Sequence, residues 1–239
     1  MFRNVLCFSL LTLLVPNAAQ ALELKNVRPM YGLPPLGAPR ADARCLPGDI
    51  LFVSYDIEGL AFHKETGKAN YMTSLEFIDA KGTQLFKRET PNEVVAQLGG
   101  TRMPGDLHVI LGRNLVAGKY TVKLTVTDRI ANEAKSFSYP VELLPAGFGI
   151  VGVIAPAVGF PGQHYLAKFN LVDLGFDAQA KNVNATVGIR LLDEKNQQVS
   201  KEIVMQLPRD VPQGIDLQKE NFVPIDFPVY LNRVGRFNI

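Results

Sequence analysis

The chain reads as an all-β protein built from two tandem antiparallel β-sandwich domains. Three observations predict this. A block of sequence occurs twice at a fixed offset, both copies alternate apolar and polar residues, and no segment carries an apolar stripe at helical spacing. The first copy runs from Pro47-Gly48-Asp49-Ile50-Leu51-Phe52-Val53 to Asp79-Ala80-Lys81-Gly82. The second runs from Pro161-Gly162-Gln163-His164-Tyr165-Leu166-Ala167 to Asp193-Glu194-Lys195-Asn196, offset by 114 throughout. Further on, Gly118-Lys119-Tyr120-Thr121-Val122 matches Gly235-Arg236-Phe237-Asn238-Ile239 at an offset of 117.

Each strand follows from its own pattern. Leu51, Val53, Tyr55 and Ile57 share one face, matched by Tyr165, Ala167, Phe169 and Leu171. Tyr71, Thr73, Leu75 and Phe77 form the next face, matched by Ala185, Val187, Ile189 and Leu191. The Asp-x-Lys-Gly and Asp-x-Lys-Asn segments are turns, because Gly and Asn accept a positive φ. Tyr120, Val122, Leu124 and Val126 then alternate, followed by Phe137, Tyr139, Val141 and Leu143. Pro140 in that last strand predicts an edge or a bulge, since proline has no N–H to give a ladder. Each copy also has a long polar connection, residues 89–106 and 207–228, and such loops tend to carry function.

The ends set the compartment. Arg3, the apolar run of residues 5–15 and the small-x-small Ala19-Gln20-Ala21 form a secretory signal with cleavage after Ala21. The run is too short to span a hydrocarbon core of about 30 Å. The expected layout is a signal peptide at 1–21, a first sandwich at 22–144, a Gly/Pro-rich apolar linker with the first strand of the second domain at 145–160, and an incomplete second sandwich at 161–239. The apolar linker predicts that the two domains pack together. Export leads to a secreted, periplasmic or cell-surface location, with no membrane span after cleavage. The formal charge of +2, with both signs interspersed, lacks the basic stripe that nucleic acid requires. Cys45 is the sole cysteine beyond the signal, so no intrachain disulfide forms; it is expected as a half-buried small apolar residue, with intermolecular pairing the alternative.

At Gly118-Lys119-Tyr120-Thr121-Val122 the chain resembles immunoglobulin-like β-sandwiches, in which a tyrosine near the start of the penultimate strand bonds back to the backbone. The resemblance makes Tyr120 that tyrosine and Val122 a core position. Phe237 takes the tyrosine's place in the second copy, without a hydroxyl. The antibody disulfide and tryptophan are absent. The chain is similar to tandem immunoglobulin-like modules of bacterial secreted and cell-surface proteins, which implies roles in adhesion, binding and spacing.

No catalytic constellation is legible. His63, His108 and His164 are far apart, there is no Gly-x-Ser-x-Gly elbow, and Gly99-Gly100-Thr101 lacks the lysine of a phosphate loop. No catalytic residue, metal ligand or cofactor is expected; Asp56, Glu58 and Glu65 offer at most a weak calcium site. Asn184-Ala185-Thr186 fits a glycosylation sequon inside a strand. The function expected is a non-catalytic binding or structural module of the cell envelope that meets a protein or envelope component. The alternative is an accessory domain pair of an enzyme, or a weak hydrolase with a site at the domain junction. Ligand contacts are expected in the long loops, at Arg102, Met103, Asp106, Arg209, Asp210 and Lys219. The second copy matches the first only to Val122, so it is expected to lack its final strand, as a truncated product or one completed by another chain. That predicts an open edge with uncovered apolar groups near Val187, Ile189 and Phe237, suited to strand pairing.

Overall fold

The computed structural model describes residues 21–33, 37–97, 99–177, 182–183, 185–207, 209–210 and 222–238. The signal segment 1–20, Asn184 of the sequon, Lys219 and Ile239 lie outside the described residues. Among those described there is no helix, and hence none long and apolar enough to cross a membrane.

The first nine strands are β1 (Glu23–Tyr31), β2 (Ala38–Pro39), β3 (Arg44–Cys45), β4 (Ile50–Glu58), β5 (Lys68–Asp79), β6 (Gln84–Val95), β7 (Met103–Ile110), β8 (Gly118–Asp128) and β9 (Glu133–Leu143). They form two sheets, ordered β2-β1-β4-β7 and β3-β9-β8-β5-β6. The chain crosses from sheet to sheet between β4 and β5, β6 and β7, and β7 and β8, which is the immunoglobulin-like arrangement. The alternating residues close one core between the sheets: Leu51, Val53, Ile57, Val122 and Val126 are all fully buried. Each such side chain stabilises the fold by about 1.5–3 kcal/mol.

Two polar groups inside this sandwich fix its turns. The Tyr120 hydroxyl donates to the Val116 carbonyl at 2.6 Å, while its ring stacks on Phe77 with centroids 5.0 Å apart. Asp128 is fully buried, and its carboxylate accepts the amides of Ile130, Ala131 and Ala61 at 2.8, 3.0 and 2.7 Å. Those bonds offset its desolvation and close the β8–β9 turn. Pro140 sits where β9 has β8 on one side and an open edge on the other, because β3 reaches only Glu142 and Leu143.

The remaining strands are β10 (Gly149–Ile154), β11 (His164–Val172), β12 (Phe176–Asp177), β13 (Asn182–Val183), β14 (Ala185–Ile189), β15 (Leu192–Asp193), β16 (Ile203–Leu207), β17 (Phe222–Tyr230) and β18 (Phe237–Asn238). The sheet β10-β11-β17 faces the pairs β14-β16 and β15-β18 across a second core of Ala167, Leu171, Ile189, Val223, Ile225 and Phe227. The sequence repeat is a repeat of hydrogen bonds. Gly48 and Gly162 share φ near +90°, at 93° and 86°, and their amides donate to Leu111 and Leu231 at 2.7 and 2.6 Å. Asp79 Oδ1 accepts Lys81 and Thr83; Asp193 Oδ1 accepts Lys195 and Gln197. Asp79 pairs with Tyr120 as Asp193 pairs with Phe237.

Two expectations are corrected. Residues 89–106 are not one long loop: β6 runs to Val95 and β7 starts at Met103. β6 is an edge strand exposed along most of its length, so it carries charges and Pro91 where a half-buried strand would alternate. Residues 207–228 likewise end in strand β17, an edge of its sheet that accommodates Pro224 and Pro228.

Tyr120→Phe makes the first copy resemble the second at this position. It should lower stability by about 1 kcal/mol, read as a drop in the urea midpoint with an unchanged slope.

Candidate functional site

Three places carry polar or apolar groups beyond the needs of a core: the junction between the sandwiches, a trough between β6 and β7, and a groove beside β18.

The junction centres on Asp49. Its Oδ1 accepts the amides of Ile50 and Gly152, each at 2.8 Å, and its Oδ2 accepts Arg40 Nη2 at 2.8 Å. The Arg40 and Asp49 side chains are only 8% and 5% exposed. Arg40 also donates to the Arg44 carbonyl at 2.7 Å and lies over the Tyr31 ring, 5.1 Å from its centroid; its Nε is buried without a partner among the described residues. Gly152 reaches Asp49 because its φ of +62° makes a bulge in β10, where the register with β11 shifts. Around this charge, β10 packs on β1 and β4, Ala38 donates to the Ala155 carbonyl at 3.0 Å, and Ala155 to that of Tyr31 at 3.3 Å. Met30, Phe52, Val151 and Val172 are buried yet belong to neither core. Cys45 lies nearby at 1% exposure, deeper than the half-buried place expected. Burial pushes its thiol up to about 12.

The trough consists of two adjoining cavities of about 280 and 300 Å³ that share Arg88 and His108. The polar part adds Tyr71, Asn92 and Asp106; the apolar part adds Phe86 and Ile110. Burial, with Asp106 as a further cause, raises the Tyr71 hydroxyl above its ordinary range. Gly105 forms part of the wall because a Cβ there would stand 2.3 Å from Cε2 of the Tyr55 ring. Arg88 and Asp106 remain solvent-exposed.

The groove is a cavity of about 560 Å³, lined by Tyr165, Leu191, Leu231, Arg236 and Phe237 among others.

Of the six residues expected to bind a ligand, the five that are described do not converge. Asp106 lines the trough, but on strand β7 rather than on a loop. Met103 is also on β7, half-buried against the core. Arg102 is in an ion pair with Asp56 at 2.6 Å. Arg209 and Asp210 bond to each other at 3.0 Å, and Asp210 Oδ2 also accepts the Gln206 amide at 2.6 Å, closing a turn after β16. Of the three carboxylates expected to offer at most a weak calcium site, Asp56 is engaged by Arg102 and Asn26, and Glu58 by Lys25. Among the described residues no group of three or more His, Cys, Asp or Glu stands close enough to hold a metal. Around the open edge, Ile189 is buried at 6% exposure and Val187 packs on the core, correcting their expected exposure. The exposed apolar groups there are Val158, Phe160 and Val234. Sequence reading missed Arg40, Gly152 and the place of Val158-Gly159 in the groove beside the open edge expected near Phe237. The 114 offset held a signal for the last, since it aligns Val158-Gly159 with the strand pair Arg44-Cys45.

No family model and no curated protein matches the chain. Solved structures similar to it include a family 123 glycoside hydrolase from Clostridium perfringens, at 13% identity and a TM-score of 0.35, covering 52% of this chain and 27% of that one. The chain thus spans about a quarter of that hydrolase. Another is a CARDB domain from Pyrococcus furiosus in complex with di-metal ions, at 8% identity and a TM-score of 0.31, covering 52% and 87%. A third is the sporulation control protein of Bacillus subtilis, at 10% identity and a TM-score of 0.31, covering 87% and 91%.

Asp49→Ala should lower stability by about 3–5 kcal/mol, because it leaves Arg40 buried and unpaired, while the pair Asp49→Leu with Arg40→Met should recover most of that in denaturant unfolding. Cys45 should resist a thiol reagent at pH 8 and react once unfolded. Its raised folded pKa means that the neutral thiol's contribution is complete below about pH 9, the ordinary thiol range, and is lost as pH rises toward about 12. Cys45→Ala should flatten that alkaline decline.

Proposed function

We propose that the chain is an exported, non-catalytic binding module of the cell envelope, one of the tandem immunoglobulin-like modules of bacterial secreted or surface proteins. Its N-terminal sandwich presents the β6–β7 trough to a ligand on a partner protein or surface component. The trough carries this reading: cation, carboxylate and imidazole stand beside an apolar wall, held on paired strands. Such a mix of anchoring apolar surface and a few polar groups suits recognition. Arg88 and Asp106 are solvated, a setting that favours ligand bonding over the dry, preorganised electrostatics of catalysis.

Export is supported by the start of the first sandwich. Leu22 is 4% exposed in the core, and its nitrogen lies 3.2 Å from Glu133 Oε2. Cleavage after Ala21 would place the new ammonium beside that carboxylate. The alternative of a hydrolytic site at the junction is disfavoured by the filled interface around Arg40 and Asp49.

The test is capture from the native envelope with the protein lacking residues 1–21 as bait. Arg88→Ala with Asp106→Ala should weaken retention of the captured component about tenfold and leave the circular dichroism spectrum unchanged. Equal retention by the double variant moves the site off the trough. Turnover of envelope glycans or peptides by the pure protein would overturn the non-catalytic reading.

A further inference from the structure

The β6–β7 trough carries three kinds of group in a fixed order. Its two cavities, of about 300 and 280 Å³, share Arg88 and His108. The first is apolar: Phe86, Ile110 and Leu115 line it, and Phe86 and Ile110 are 44% and 70% exposed. The second presents acceptors. Asn92 donates through Nδ2 to the Thr90 carbonyl at 2.9 Å and to Thr73 Oγ1 at 3.3 Å, which leaves its Oδ1 without a partner among the described residues. Asp106 adds a carboxylate. The His108 ring packs beside Phe52, with centroids 6.0 Å apart, so the charge at the boundary is that of Arg88.

Strand register produces this order. Residues directly opposite in a ladder share a face. In β6, Phe86 stands opposite Phe77 and Arg88 opposite Leu75, two core residues, so both look into the sandwich. Asn92 follows on the same face, opposite Tyr71. β6 is the edge of one sheet and β7 the edge of the other, which leaves this face open to solvent. Nearby charges are paired, Lys87 with Glu89 at 2.7 Å and Lys68 with Glu93 at 2.6 Å. Among the described residues, the Arg88 and Asp106 side chains are in no ion pair or hydrogen bond.

A complementary occupant has an apolar group, an anion and an N–H donor side by side. The last residue of a polypeptide carries all three on one carbon: side chain, α-carboxylate and amide N–H. An internal Asp or Glu does not, because its apolar neighbour belongs to another residue. A guanidinium takes a carboxylate in two parallel bonds. Arg88 and Asp106 are solvent-exposed, whereas a site for a free small molecule buries most of its ligand. The open side leaves a path for the rest of a chain.

We propose that the trough captures the free C-terminus of a partner polypeptide that ends in an apolar residue. The α-carboxylate sits on Arg88, the terminal side chain against Phe86 and Ile110, and the backbone N–H groups toward Asn92 and Asp106. Recognition is of a chain end by side chains, not strand addition, and it rests on the reading of the trough as the binding surface.

A fluorescein-labelled peptide, Gly-Ala-Ala-Leu with a free carboxylate, serves as the probe, titrated against the full chain by fluorescence anisotropy. Saturable one-to-one binding is expected. Amidation of the carboxylate should weaken it about tenfold, and a terminal alanine in place of leucine about tenfold. Arg88→Ala should remove the difference between acid and amide, and Arg88→Lys should keep part of it, with an unchanged circular dichroism spectrum in both. Absence of saturable binding, equal binding of acid and amide, or a preference for the acid that survives Arg88→Ala each overturns the proposal. Equal competition by free leucine overturns it too, since the ligand is then an amino acid. The trough reading fails separately. If Arg88→Ala with Asp106→Ala lowers retention of the envelope component while no peptide binds, the trough stands and the chain end is the wrong ligand; equal retention removes the trough itself.

Discussion

The Asp49 carboxylate holds together the start of β4, the bulge of β10 and a buried guanidinium, and the relation of the two sandwiches depends on it. Two of its three bonds are local, to Ile50 and Arg40; the third reaches Gly152, 103 residues away. Removing a charged pair from water is costly, and isosteric apolar residues are often as stable. The energy of the interface comes instead from Met30, Phe52, Val151 and Val172, buried outside both cores. Apolar burial has no direction. The carboxylate supplies the direction, since only one placement of β10 brings the Gly152 amide to Oδ1. Together they fix how β10 sits against β1 and β4.

Repetition fixes the rest. Both copies use the same Pro-Gly entry and the same Asp turn, with Gly82 at φ +84° in one and Asn196 at +60° in the other. The copies diverge where their surroundings differ. Tyr120 has the Val116 carbonyl within reach of its hydroxyl. Phe237 faces the groove and Arg233 and lacks that hydroxyl. A core position is thus part of a lining in the second copy, and among the described residues the second sandwich has fewer fully buried large side chains than the first.

Legibility in the sequence followed burial on one face. β4, β5, β8 and β9 each have one face in the core, so their alternation was plain, as was the tyrosine that closes the corner. β6 is exposed along most of its length and β17 has prolines on an outer edge, so neither shows the pattern that marks a strand. The Arg40–Asp49–Gly152 contact left no trace because its partners are distant in sequence and of ordinary type. The trough gave up only Asp106, since its other members, such as Arg88 and His108, lie on edge strands of two different sheets that only the packing of those sheets brings together.

Two of the open edges among the described residues differ in chemistry. An unpaired strand invites pairing, and charged residues and proline at an edge discourage it. β6 has Lys87, Arg88, Glu89, Pro91 and Glu93 in twelve residues. The edge beside β18 has Val158, Phe160 and Val234 exposed, with charge confined to arginine. β6 is therefore guarded against strand pairing. The edge beside β18 lacks such mixed charge, its lining carrying Arg233 and Arg236 as its charged side chains.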